Sequence, residues 1–280
     1  MFVNKELADE ITQKRNKIAE AKHYEPFNRI YRLHEKAAQS DASTNSYVLE
    51  SPEDAKKIIT DKEEILKNGR AIFQALAWGT KQIHHLFQVN EGLDLEFICN
   101  LAGRVDPDYY GTKPAQLRTG WVRPTGAPYT PPAPEKLPKK MEEFLRHVNN
   151  FMNMAKADQA NEHYGRVLDV AGYAHYALTR IHPLDDANGR TSRVLQNSIL
   201  KYFGLPPAII WSGEKIDYIR HLRAADEGHH KLERPEEEKT GKMLISEGEK
   251  AFFDYLATRV NISLDRILDQ DFNIDAFQEK

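Results

Sequence analysis

Cysteine is nearly missing from this chain: Cys99 is the one copy in 280 residues. A single thiol excludes an internal disulfide and a cysteine-built metal cage, and it fits a reducing compartment. An excess of either charge is missing too. Lys plus Arg number 39 against 42 for Asp plus Glu, so the chain as a whole has no electrostatic pull toward nucleic acid or an anionic membrane, and any basic site must be local. Long apolar runs are absent, since no stretch approaches the ~18 residues that span a bilayer. The opening MFVNKELADEITQKRN is polar within four residues, unlike a signal peptide. Internal repeats and alternating strand patterns are also lacking. The reading is a soluble, cytoplasmic protein with neither nucleic acid nor membrane among its partners.

What is present is helical periodicity. Leu7, Ile11 and Ile18 mark an amphipathic helix that ends before Pro26, and Phe27, Ile30, Tyr31 and Leu33 begin another. Residues 53 to 89 hold two more helical patterns, with Ile58, Ile59, Ile65, Ile72, Phe73 and Leu76 at helical spacing. Met141, Phe144, Leu145, Val148, Phe151 and Met152 trace one stripe, and Phe253, Leu256, Val260, Leu264, Ile267 and Leu268 another. Such stripes are core. Residues 118 to 138, RTGWVRPTGAPYTPPAPEKLP, break the pattern with six prolines and two glycines, which forbids a helix. On composition this is a surface linker between helical halves. The alternative is a small hairpin, with Gly120 to Arg123 as one strand, Thr125-Gly126 as the turn and Pro128 to Pro132 returning.

One loop gathers unusual chemistry: IHPLDDANGRTSR, residues 181 to 193. Val167, Val170, Ala171, Ala174, Leu178 and Ile181 make the stripe of a helix that ends at His182, because Pro183 disfavours helix in the residue before it. Thr191 to Phe203 reads as the next helix, stopped by Gly204 and Pro206. The polar cluster therefore sits on a helix-loop-helix corner, with Asn188 and Gly189 at the second helix's start. A helix start offers free N–H groups and the positive end of a dipole, so it attracts phosphate. Gly189 lets backbone approach a ligand, and Asn188 can cap or hold a turn. Arg190 and Arg193, three apart, can fork onto phosphate oxygens or carboxylates. Asp186 is a hard oxygen ligand suited to Mg2+ shared with a nucleotide's phosphates. His182 can take a proton from a hydroxyl at neutral pH. Singly, each residue is better explained as a helix-end histidine or a surface ion pair. Together they supply what attack by a hydroxyl on a phosphate requires.

His182-Pro-Leu-Asp-Asp186-Ala-Asn188-Gly189-Arg190-Thr-Ser-Arg193 closely resembles the signature of the Fic family, His-Pro-Phe-x-Asp/Glu-Gly-Asn-Gly-Arg-x-x-Arg, at unchanged spacing. Leu184 replaces the aromatic and Ala187 the first glycine, which tightens the anion loop; relatives of the Doc branch also show Ala there. AGYAHYALTRIHP resembles the helix before that signature, Gly120 to Pro132 the family's flap hairpin, and Tyr218 to Ala225 its later Tyr-x-x-x-Leu helix. The resemblance spans roughly residues 40 to 235. It implies an all-α fold with a small β-hairpin flap, and transfer of AMP from ATP, with magnesium, to a hydroxyl on a protein side chain. By that analogy His182 deprotonates the target hydroxyl, Asp186 holds the metal, and Asn188, Gly189 and Arg190 bind phosphates, with Arg193 on the γ-phosphate. Doc-like kinases carry Lys where Gly189 stands, so Gly favours AMP transfer over phosphate transfer.

STNSYVLES, residues 43 to 51, resembles the family's inhibitory helix, Ser/Thr-x-x-x-Glu-Gly/Asn, with Ser46 and Glu50 in the defined places and Ser51 departing from Gly or Asn. The resemblance implies that Glu50 pairs with Arg193 and blocks the productive ATP pose; the plain reading of Ser-x-x-x-Glu is a helix cap. Two anions cannot share one guanidinium without repelling each other. The expected organisation is N-terminal helices at 1–40, the Fic domain at 41–235 and a C-terminal helical extension at 236–280. The N-terminal forty and C-terminal fifty residues are candidates for homodimer contacts or a target-binding surface. Tyr218 packs the motif helix or stacks on adenine, with packing preferred. His84-His85 and His229-His230 read as surface or core-edge residues without a carboxylate partner at metal-ligand spacing, and Lys231 to Lys242 as a solvated charged loop. Three functions fit: a self-inhibited adenylyltransferase acting on a Ser, Thr or Tyr hydroxyl of a partner protein or of itself, the reverse de-AMPylating enzyme, and a non-catalytic nucleotide-binding module. The first is preferred.

Overall fold

The computed structural model describes residues 1–23, 25–50, 62–111, 113–124, 129–161, 163–232 and 244–269. Its main helices are α1 (Lys5–Ala21), α2 (Glu25–Glu50), α3 (Lys62–Gln88), α4 (Leu95–Val105), the single turn α5 (Pro107–Tyr110), α6 (Leu137–Gln159), α7 (Gly165–Ile181), α8 (Asn188–Tyr202), α9 (Lys215–Lys231) and α10 (Glu247–Leu268). The helix α7 is the axis of the molecule. It packs against α1, α6, α8 and α10, and its apolar residues close on all sides, with Val167, Val170, Ala174 and Leu178 fully buried. A helix buried all round needs small residues where neighbours press in. Gly172 is one: a Cβ there would stand 2.8 Å from the Phe253 ring, so glycine lets α10 seat Phe253, which burial favours by roughly 2–3 kcal/mol.

The stripes read in the sequence face inward. Ile11, Ile18, Ile72, Leu76, Met141, Phe144, Val148, Met152, Phe253, Val260 and Leu264 join one continuous core with the α7 and α8 residues. Leu33 does not; it is 63% exposed on α2. The helix α3 runs unbroken from residue 62, while 51–61, with Ile58 and Ile59, lies outside the described residues. Likewise α2 continues across residue 40 without a break, and α1 and α10 pack together, so both ends of the described chain share the core of the middle.

In the proline-rich segment the described residues 118–124 and 129–133 form neither helix nor strand, and Pro134–Lys136 make a short turn that leads into α6. Among the described residues the segment makes one isolated antiparallel bridge, Leu117 to Leu184, and no paired strands; the turn expected at Thr125-Gly126 lies outside the described residues. With six prolines the segment has few N–H groups for a ladder. No described helix is long and apolar enough to cross a membrane.

Candidate functional site

The loop from 182 to 187 joins α7 to α8 at the surface of the core. Both of its ends are left-handed: His182 has φ 49° and ψ 56°, Ala187 φ 62° and ψ 15°. A side chain in that region costs about 1–2 kcal/mol, so neighbouring contacts must hold the loop. Asn188 supplies the first, because its Oδ1 accepts from Leu184 N at 3.0 Å and its Nδ2 donates to Leu184 O at 2.9 Å. The Tyr110 hydroxyl supplies another pair, donating to Asp186 O at 2.9 Å and accepting from Asp186 N at 3.1 Å. Asn188, expected at phosphate, thus spends its side chain on the loop itself.

His182 closes α7, its backbone N–H bonded to Leu178 O at 3.0 Å. Its Nδ1 lies 3.2 Å from Thr179 O. A carbonyl only accepts, so the neutral ring carries its proton on Nδ1 and its lone pair on Nε2. That tautomer suits a base. Thr179 O also accepts the Tyr129 hydroxyl at 3.1 Å, and Thr179 Oγ1 donates to Ser192 Oγ at 2.8 Å, which links the end of α7 to the first turn of α8.

Asp186 stands half exposed with Oδ1 bonded to its neighbour Ala187 N and to Arg190 Nη2. Arg190 is buried, and its Nη2 also meets Asp106 Oδ2 at 2.9 Å, while among the described residues Nε has no hydrogen-bond partner. A buried guanidinium donor left unpaired at a helix start is a place an anion would satisfy. Gly189, half-buried in the same turn, gives its carbonyl to Ser192 Oγ at 2.8 Å. Among the described residues no three His, Cys, Asp or Glu gather as a metal cage. Magnesium does not need one, because one or two carboxylates plus substrate phosphates commonly hold it; Asp186 fits that requirement.

Arg193 is 4% exposed and lies under α2. It donates Nε to Ser46 Oγ at 2.9 Å and Nη2 to Ser46 O at 3.0 Å. The side chain of Glu50, the expected partner, lies outside what is described. On its other side Arg193 meets Tyr218, with Nη1 to the hydroxyl at 3.4 Å and the guanidinium 5.9 Å from the ring centre. Tyr218 is buried and bonds His175 Nε2 at 2.9 Å, and His175 Nδ1 meets Gln196, which reaches Asn197 at 3.1 Å. Tyr218 therefore packs the motif helix, tied to a buried polar chain.

Residues with no signal at motif spacing complete the site. Asp106 and Tyr110 come from the α4–α5 corner, some 76 positions from Asp186 in the case of Tyr110. Gly103 allows that corner to fold back, since a Cβ would stand 2.3 Å from Lys113 O. Arg118, 2% exposed, is the largest fully buried side chain. Its backbone N–H reaches Pro183 O at 2.9 Å, and its guanidinium donates to His182 O at 2.7 Å, Gly120 O at 2.8 Å and Pro132 O at 2.6 Å. Burial lowers its pKa. Trp121, at the near end of the flap, is 69% exposed.

A second buried cluster lies behind Tyr129. The Tyr176 hydroxyl donates to Asp226 Oδ1 at 3.0 Å, and Arg180 Nε is 3.9 Å away. Burial pushes the Asp226 carboxyl up to about 7 against the pull of both partners. His229, beside which no carboxylate stands at metal-ligand spacing in the sequence, meets one from another helix: its Nδ1 is 3.0 Å from Glu249 Oε1, and Glu249 also accepts the capping N–H of Ser246. His84 packs its ring on Tyr202.

Residues 92–200 match the family described as Fic/DOC. The protein adenylyltransferase Fic of Drosophila persimilis is 36% identical over 136 residues, which are 48% of this chain and 23% of that protein. That of Nematostella vectensis is 32% identical over 143 residues, 51% and 31% of the two chains. The chain thus aligns with less than a third of the length of these relatives. Among solved structures, a Fic domain containing signaling protein from Bacteroides thetaiotaomicron superposes with a TM-score of 0.69 at 19% identity, covering 97% of this chain and 98% of that one. Fic-1 from C. elegans, residues 134–508, gives 0.63 at 17% identity, covering 94% and 71%. At those identities the likeness speaks for the fold. Asp106, Tyr110, Arg118 and the whole of the 182–193 corner lie inside the stretch, residues 92–200, that matches the Fic/DOC family.

Proposed function

We propose that this protein is a self-inhibited protein adenylyltransferase, moving AMP from ATP to a hydroxyl side chain of a protein. The observation that carries the reading is a base-ready imidazole beside a donor open to an anion: His182 Nδ1 is held by Thr179 O, while in the first turn of α8 the buried Arg190 Nε has no partner among the described residues. The name borne by the Drosophila and Nematostella relatives supports the same reaction.

In this scheme the triphosphate lies along the start of α8, where backbone N–H groups, Gly189 and Arg190 meet its oxygens. The target hydroxyl approaches from the flap side, and an extended target segment adds to the flap by main-chain pairing, next to the exposed Trp121. His182 Nε2 takes the hydroxyl proton as the oxygen attacks the α-phosphorus; the bond from that phosphorus to the bridging oxygen breaks, and diphosphate leaves. Asp186 would hold Mg2+, which supplies charge neutralisation on the phosphates.

Inhibition rests on Arg193. Its two bonds to Ser46 tie it to the last turns of α2, and a glutamate at position 50 on that helix competes for the cation that otherwise binds the γ-phosphate. The test is mass spectrometry of the purified protein and of a lysate after incubation with isotope-labelled ATP. Glu50→Gly raises AMP addition over wild type, and His182→Ala in that background abolishes it while nucleotide binding by calorimetry persists. Full labelling in the His182 variant would remove the base role, and no labelling in any variant would remove the transferase reading. An AMP-modified target added to the wild-type protein reads the reverse reaction in the same instrument.

A further inference from the structure

Arg118 is an unusual residue to bury. Taking a guanidinium out of water is expensive, and the common repayment is a carboxylate. Among the described residues no carboxylate forms a contact ion pair with Arg118, although the Asp185 charge acts on it through space. Its side chain is satisfied by three carbonyls instead, each from a different part of the site: His182 O on the base, Gly120 O where the flap leaves the body and Pro132 O where it returns. Its own backbone N–H holds Pro183 O, and its neighbour Leu117 bridges Leu184. The residue so grasped, His182, is in a left-handed conformation that a non-glycine residue leaves unless held.

We propose that Arg118 is the positioning residue of this site, holding the His182 backbone in its left-handed state and fixing both roots of the flap against it, so that base and target-docking segment keep one relative geometry. The planar fork matters because three carbonyls in three directions need donors on separate nitrogens of one rigid group. Lysine carries the same charge at one point and cannot reach all three. The arrangement acts through His182 and the flap and touches neither nucleotide nor target.

This inference rests on the transferase reading, and its test separates the two. In the Glu50→Gly background, AMP addition is measured for Arg118 intact, Arg118→Lys and Arg118→Gln, each normalised to folded protein from its thermal melt. The expected result is a kcat lowered roughly 10- to 100-fold in both variants, as small misplacement of reacting groups produces, with KM for ATP unchanged. Free guanidinium at low millimolar concentration partly restores Arg118→Ala. NMR of histidine labelled with nitrogen-15 gives a readout independent of activity: His182 holds one tautomer with Arg118 intact and averages between two in Arg118→Lys. If Glu50→Gly with intact Arg118 labels nothing, the transferase reading fails, and the NMR arm still judges the positioning role. Labelling at the parent kcat and an unchanged His182 spectrum in Arg118→Lys overturn the proposal. So does loss of the fold in both variants, which would make Arg118 a scaffold residue alone.

Discussion

Arg193 and Ser46, 147 positions apart in the chain, are joined twice, through the Ser46 hydroxyl at 2.9 Å and its carbonyl at 3.0 Å. The contact makes α2 a cover over the second arginine of the loop. Ser46→Ala removes the hydroxyl bond and keeps the carbonyl one. It lowers stability by about 1 kcal/mol, the usual net worth of a hydrogen bond, seen as a small fall in melting temperature. AMP labelling rises several-fold because Arg193 is held less firmly. Equal labelling in wild type and variant would show that Ser46 does not restrain the arginine.

Asp106 is buried, takes Arg190 Nη2 on one oxygen and caps the following turn at Tyr109 N with the other. Asp106→Ala leaves the buried Arg190 with Asp186 as its remaining carboxylate partner, a loss of about 1–3 kcal/mol, and frees Arg190 to turn away from Asp106. Thermal unfolding and calorimetry with Mg-ATP read the two effects separately. Asp106→Asn keeps the cap acceptor and falls between. A melt for Asp106→Ala within a degree of wild type would exclude any dependence of the site on this pair.

Asp226 sets a pH dependence of stability. Its folded carboxyl, raised by burial to about 7, keeps a proton that the unfolded chain releases near pH 4. Between those values the unfolded state binds fewer protons, so stability falls as pH rises through the window. Asp226→Asn removes that slope. Its urea midpoint at pH 8 exceeds wild type, by a stability on the order of 2 kcal/mol, while the two proteins converge toward pH 4. Parallel pH curves for the two would refute the assignment.

Ala187 is buried with φ 62°. Ala187→Gly relieves about 1 kcal/mol of backbone strain and gives back a similar amount in unfolded-chain entropy, so its urea midpoint stays close to wild type. Ala187→Val, branched at Cβ, loses about 2 kcal/mol. Equal midpoints for alanine and valine would mean the loop relaxes out of the left-handed region.

Much of this was legible in the sequence. The apolar stripes named the helices because each buries one face at a 3.6-residue period, and Pro183 after Ile181 marked the corner. The loop chemistry was readable because His182, Asp186, Arg190 and Arg193 lie within twelve residues. What stayed hidden is what reaches the loop from afar. Asp106, Tyr110 and Arg118 share no spacing with it, and Tyr129 sits among prolines that suggest a linker or a hairpin and give no sign of its contact with Thr179. Of the expected hairpin, the described residues pair no strands and its turn lies outside the described residues, while Arg118 anchors both of its ends. Asn188 adds a role that its place in the signature did not announce: its side chain bonds both backbone groups of Leu184 and shapes the loop.

The Tyr218 side of Arg193 has a consequence for switching. A cation moored only by α2 would swing loose whenever that helix drew back, and would have to find its working orientation again. Arg193 has a second berth, the hydroxyl and ring of Tyr218, itself lashed to His175 and Gln196 in the interior. In the proposed inhibition, drawing α2 back would leave Arg193 on its Tyr218 berth, so relief would ask for no rearrangement of the groups beneath it.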